Sequence, residues 1–194
     1  PLAREIWQTS IIGPLELLLK QFADSSQAVR GIFLNLDAFG PDQRSSYGVG
    51  FDFGDHAFRH FLATSTGLIT DTQFERARYL SSSERFPFLV REGLLGMYYQ
   101  VLGEQAEVLG NLIRRKLKSY SPSARIAVYH RNLPSDWYSA GLLRGLSRSH
   151  EPVLLLSLAS HPAGHLHSFA EDEIYLQPLL ALNPSQHTAD DLRQ

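Results

Sequence analysis

The sequence predicts an α/β domain built on a mixed sheet, and three observations carry that expectation. Residues 125–129 (RIAVY) form a short β-branched and aromatic run, and 153–158 (VLLLSL) a continuous apolar run, the character of a strand buried on both faces of a sheet. Between them Trp137, Ala140, Leu143 and Leu146 recur at three-residue steps, with Ser135 or Asp136 placed to cap a helix. Strand, crossover helix and parallel strand make a right-handed βαβ unit. The third observation is the run 31–39 (GIFLNLDAF), a central strand that ends in Asp37 and a Gly40-Pro41 break.

In chain order, residues 2–22 carry helical signals: Leu15, Leu18, Leu19 and Phe22 share one face, and Gly13-Pro14 divides the segment into two pieces. A polar turn at Asp24, Ser25 and Ser26 leads into the first strand. Further on, Tyr47, Val49, Phe51 and Phe53 alternate with small or polar residues, Gly54-Asp55 supplies a turn and 57–64 returns, the pattern of a β-hairpin. A helix competes for these residues, since Asp55 can cap one in which Phe58, Phe61 and Leu62 share a face; the alternation upstream favours strand. Residues 67–85, rich in Thr, Ser, Asp and Arg, read as a connecting loop with one helical turn.

The longest element is a helix over 88–118, with Leu94, Tyr98, Val101, Leu102, Val108, Leu109, Leu112 and Ile113 as its apolar stripe. Gly96, Gly103 and Gly110 recur every seven residues along it. Each costs roughly 1 kcal/mol against Ala in a helix interior, so close approach to the sheet is the expected compensation, and a break near Gly103 is the alternative. The helix ends in Arg114, Arg115, Lys116 and Lys118, cations that complement the helix dipole or meet phosphate. His161, His165 and His167 precede Glu171, Asp172 and Glu173, a metal-capable spacing that, without Cys or a second half-site, reads more simply as a solvated loop. Residues 174–182 form a last strand or edge segment, and 187–194 a polar tail.

At 194 residues the chain is long enough for one well-buried domain, and 43% hydrophobic with 20% charged is the balance of an ordinary globular protein. The absence of Cys excludes disulfides, thiol catalysis and cysteine-ligated zinc, and fits the reducing cytoplasm, the expected location. No apolar run reaches the ~20 residues of a membrane span, and the N-terminus lacks a basic region followed by an apolar signal core, so no membrane partner is expected. A net charge of −2 is not that of a stand-alone nucleic-acid binder, so contact with nucleic acid would come from a local patch or beside other domains. A start at Pro1 rather than Met is what a fragment or a processed product would show.

A strand running into His130-Arg131, a short polar turn, a Leu-faced helix and then PVLLLSL resemble the second half of a PIWI domain, the ribonuclease-H-like domain of Argonaute proteins. In element order the pattern covers residues 31–169. The resemblance implies a ribonuclease-H-like mixed β-sheet with helices on both faces, in the order three strands, helix, strand, helix, strand. It divides a single domain, 1–194, into an N-terminal helical segment (1–30), the core (31–169) and a C-terminal strand or tail (170–194).

The resemblance also implies a two-metal site at the carboxyl ends of the strands, where open α/β sheets place their chemistry. Asp37 takes the first acidic position and is the implied metal ligand; capping the turn before Gly40-Pro41 is its structural alternative. In the family the strand runs into Arg-Asp-Gly. Here Arg131 is followed by Asn132, which stands where the family has its catalytic Asp. Glu75, Glu84 and Glu92 are candidates for a further carboxylate, and none has a motif around it. A two-metal centre needs several carboxylates to hold its ions ~3.5–4 Å apart. The expectation is therefore a degenerate domain without a cofactor that binds a guide or target strand, single-stranded or duplex, through Arg114, Arg115, Lys116, Lys118 and Arg131.

Three other functions stay open. An active nuclease of the same superfamily would recruit Asp136 in place of the missing ligand and use Mg²⁺ or Mn²⁺. From another class, NLDAF, Gly54-Asp55 and Ala77-Arg78-Tyr79 distantly resemble a degenerate diguanylate-cyclase (GGDEF) domain, with LSSSERF at 80–86 in place of its signature and a cyclic dinucleotide as ligand. The third is a structural interaction module whose partners are other domains of a longer protein.

Overall fold

The computed structural model describes residues 4–24, 29–35, 53–129, 137–157 and 174–178. At the N-terminus α1 (Arg4–Trp7), a π-helical turn (Gln8–Ile12) and α2 (Gly13–Asp24) run on without a gap. Pro14 explains the wide turn: its ring crowds the carbonyl four residues back. The chain relaxes there, and the Gly13 N–H donates to the Gln8 carbonyl five residues earlier. Gly13-Pro14 therefore distorts one helix instead of dividing it into two.

The sheet is formed by β1 (Gly31–Asn35), β2 (Arg125–Tyr129), β3 (Val153–Ser157) and β4 (Ile174–Pro178), in the order β1-β2-β3-β4. The runs expected as strands are thus neighbours, and 174–178 is the edge. Every pair is parallel, so the expected mixed sheet is not seen among the described residues. Leu34 lies opposite Val128, and Val128 opposite Leu155, which sets Ile32, Leu34, Ile126, Val128, Val153 and Leu155 on one face. The last four of these are buried. A Cβ on Gly31 would come 2.5 Å from the Arg125 carbonyl oxygen, so only glycine fits at the start of β1.

Between β1 and β2 lie α3 (Asp55–Thr64), α4 (Asp71–Ala77), α5 (Ser82–Arg91) and α6 (Leu95–Tyr120). Residues 57–64, expected as the returning strand of a hairpin, are helical. Asp55 occupies the first turn, and Ala57, Phe58, Phe61 and Leu62 all reach the core. A strand would have sent alternate residues to opposite faces; the helix puts all four on one. The expected loop at 67–85 holds α4 and the start of α5, each opened by a capping box, Thr70 with Gln73 and Ser81 with Glu84. The expected single helix over 88–118 is two helices. Gly93, at φ +69°, ends α5 in the left-handed conformation, and the Leu94 N–H closes the turn on the Leu89 carbonyl at 2.8 Å.

β2 and β3 are joined through α7 (Trp137–Leu146). α6 and α7 pack backbone to backbone: a Cβ on Gly110 would lie 3.0 Å from the Gly145 Cα, and one on Gly141 2.9 Å from the Ala106 Cβ. The glycine repeat therefore serves contact between helices, not approach to the sheet, and α6 runs through Gly103 unbroken. Gly96 faces open space.

One core unites these elements, with Phe58, Phe61, Phe88, Tyr98, Leu142 and Leu143 fully buried. Arg85, 8% exposed, ties its aromatic end together. It donates to the Phe53 carbonyl at 2.7 Å and to Asp55 Oδ1 at 2.5 Å, with its guanidinium 4.9 Å from the centre of the Phe58 ring.

A sheet in sequential order with right-handed crossovers carries successive crossovers on the same face. Among the described residues the helices accordingly share the face of Ile126 and Val153, not both faces as expected. On the other face Phe33 is 58% and Leu154 36% exposed. Among the described residues no helix is long and apolar enough to cross a membrane.

Candidate functional site

The four cations at the end of α6 do not form one patch. Arg114 and Lys118, one turn apart, share the Glu151 carboxylate: Lys118 Nζ lies 3.1 Å from Oε1 and Arg114 Nη1 3.8 Å from Oε2. Lys118 also donates to the Pro122 carbonyl at 3.0 Å. Lys116 turns instead to α2, 3.2 Å from Glu16 Oε2. That lysine, with Lys20, holds the Glu16 carboxyl below the usual carboxylate range. Arg115 is exposed. Cations at this helix end complement the dipole, and Arg114 and Lys118 line a concave surface.

That surface is an open cavity of about 460 Å³ at the amino ends of β2 and β3, lined by Arg114, Lys118, Arg125, His150 and Glu151 with their neighbours. Its charged rim is set by a tight turn in which the Glu151 N–H donates to the Arg148 carbonyl at 2.9 Å and His150 takes φ +65°. Arg148 donates to Asn111 Oδ1, and so does Arg114 at 3.4 Å, placing two guanidinium groups on one amide oxygen.

Among the described residues the cavity carries more positive than negative charge. The Arg114 side chain is 16% exposed. Burial first, then the charges of Arg148 and Arg115, hold its pKa below the ordinary guanidinium value, while Glu151 pulls the other way. Among the described residues its buried Nε has no hydrogen-bond partner. Among the described residues the lining thus sets three permanent cations against a single carboxylate, Glu151. Forked guanidinium donors beside a lysine suit a phosphate oxyanion.

The remaining candidates are placed as follows. Asp37, Arg131, Asn132 and Asp136, and the segment from His161 to Glu173, lie outside the described residues. Asn35 and Tyr129, the last described residues of β1 and β2, are register partners at the carboxyl edge. The cavity lies at the opposite edge, one strand length or ~17 Å away. Each candidate glutamate has a local structural role. Glu75 pairs with Arg78 at 2.9 Å, Glu84 accepts the Ser81 N–H at 2.9 Å, and Glu92 lies 3.3 Å from Arg76. Among the described residues no group of three His, Asp or Glu could hold a metal. Gly54-Asp55, part of the GGDEF-like pattern, opens α3, and Ala77-Arg78-Tyr79 closes α4.

Arg125, Arg148, His150 and Glu151 were not singled out from the sequence. Their one signal is charge at the threshold of two apolar strands: Arg125 opens β2, and the group 148–151 precedes Pro152 and β3. Comparison with protein-family models, with curated proteins and with solved structures finds no match to this chain.

Proposed function

We propose that this domain binds the phosphate backbone of a nucleic-acid strand, as a catalytically degenerate, PIWI-like module. The observation that carries this is the convergence of Arg114, Lys118 and Arg125 on one cavity in which Glu151 is the sole carboxylate among the described residues. In a chain of net charge −2 such an excess is local, which suits a backbone contact better than general attraction to polyanions. The ribonuclease-H-like arrangement is part of the same proposal. It needs antiparallel strands from 36–52 beside β1, which is an outer strand among the described residues. At position 132 Asn offers a neutral amide oxygen where a two-metal site needs an anionic ligand, so binding without cutting is the expected behaviour.

The test is titration with single-stranded and duplex oligonucleotides and with a cyclic dinucleotide at several salt concentrations, followed by incubation with Mg²⁺ or Mn²⁺. Salt-sensitive binding without cleavage is expected. Metal-dependent cleavage abolished by Asp37→Ala would establish an active nuclease in its place, and preferential capture of the cyclic dinucleotide would establish a signalling domain.

A further inference from the structure

We infer that the sheet face carrying Phe33, which no helix covers among the described residues, is a base-stacking platform for a single strand of nucleic acid whose phosphates reach the basic cavity. Parallel sheets are normally covered on both faces. Here the described crossover helices, α3 to α6 and α7, lie on the side of Ile126 and Val153, and no described helix covers the other face. Its rows are Gly31, Phe33 and Asn35 on β1, Arg125, Ala127 and Tyr129 on β2, and Leu154 and Leu156 on β3. Phe33 is 58% exposed, in the middle of its strand.

Three features select nucleic acid over a second copy of the chain. Two aromatic residues, Phe33 and Tyr129, occupy diagonal positions on adjacent strands, about 8 Å apart between Cα atoms. A flexible single strand can lay successive bases on such rings, whereas a duplex keeps its bases inside. Arg125 belongs both to this face and to the cavity lining, so positive charge runs on from the platform at its amino edge. Lastly, four strands of five residues offer about 300 Å² at ~4.8 Å between strands and ~3.3 Å per residue. That is well short of the roughly 800 Å² per partner of a standard protein interface.

The inference rests on the phosphate-binding part of the proposal and not on the ribonuclease-H-like arrangement, whose helices would lie on both faces, and the experiment separates the two. Wild type, Phe33→Ala and Phe33→Trp are titrated with oligo-dT and with an abasic oligonucleotide of the same length, and each is sedimented without ligand. Wild type should prefer oligo-dT. Phe33→Ala should lose roughly 5- to 150-fold for oligo-dT alone, with an unchanged salt slope. Phe33→Trp should keep the preference and gain a fluorescence signal that oligo-dT quenches. Equal affinity for both oligonucleotides, untouched by Phe33→Ala, overturns the platform and leaves phosphate binding standing. Failure to bind either removes the phosphate proposal and the platform with it. A dimer that Phe33→Ala converts to monomer assigns the face to a second copy and likewise overturns the platform.

Discussion

Gly96, Gly103 and Gly110 occupy the same helical register on α6, yet replacing each with Ala should have three different effects. At Gly96 a Cβ meets nothing within 4 Å, so the substitution only reduces the freedom of the unfolded chain and should stabilise by about 0.5–1 kcal/mol. At Gly103 the nearest atom, at 3.3 Å, is the end of the Arg144 side chain, which can move; the effect should be close to neutral. At Gly110 the added carbon meets the Leu142 carbonyl and lies 3.0 Å from both Cα and C of Gly145. These are backbone atoms of α7, so the whole helix must shift. Overpacking of this kind costs typically 1–3 kcal/mol. The propensity gain is common to both sites and cancels, so Gly110→Ala should lie about 1–3 kcal/mol below Gly96→Ala, a separation of roughly 2–12 °C in Tm. Urea and thermal unfolding followed by circular dichroism measure this. A Gly110→Ala variant as stable as Gly96→Ala would refute the close α6–α7 packing.

Two further outcomes concern charges. Glu151→Gln removes the carboxylate shared by Arg114 and Lys118. Because Glu151 is 45% exposed, the folded state should lose only about 1 kcal/mol or less, while affinity for a single-stranded oligonucleotide rises; weaker binding would show that Glu151 helps to hold the ligand. Asp55 is the second case: Arg85 beside it holds its carboxyl below the usual carboxylate range. A depressed folded pKa contributes stability that is present above the unfolded value of about 3.9 and lost as pH falls through the folded one. Urea midpoints should therefore drop more steeply below about pH 4 in wild type than in Asp55→Asn, and parallel curves would contradict the pairing.

Where the fold was legible in the sequence, the signal was local and uncontested. GIFLN, RIAVY and VLLLS are apolar or β-branched runs too short for buried helices, and they became β1, β2 and β3. The segment 57–64 carries two overlapping signals: Gly54-Asp55 suits a hairpin turn as well as a helix start, and the alternation ending at Phe53 extends the strand pattern past it. The Phe58, Phe61 and Leu62 spacing is the better guide, since burying all three in one core, with Phe58 and Phe61 against Tyr98, requires a helix. Thr70 with Gln73 and Ser81 with Glu84 were visible capping boxes hidden in a polar composition.

The site was less legible because it is assembled from distant parts of the chain. The sequence shows four cations on one helix end. It does not show that Glu16 draws Lys116 to one side while Glu151 gathers Arg114 and Lys118 on the other, beside Arg125.

The most direct measurement is the salt dependence of binding to one single-stranded oligonucleotide, compared between wild type and Arg114→Gln, Lys118→Gln, Arg125→Gln and Lys116→Gln. If the cavity holds phosphates, each of the first three should flatten the plot of log affinity against log salt by roughly one unit. Lys116→Gln, engaged with Glu16 on α2, should leave the slope as it was. Absence of binding at low salt, or slopes that respond no differently among the four variants, would contradict a phosphate-binding role for the cavity.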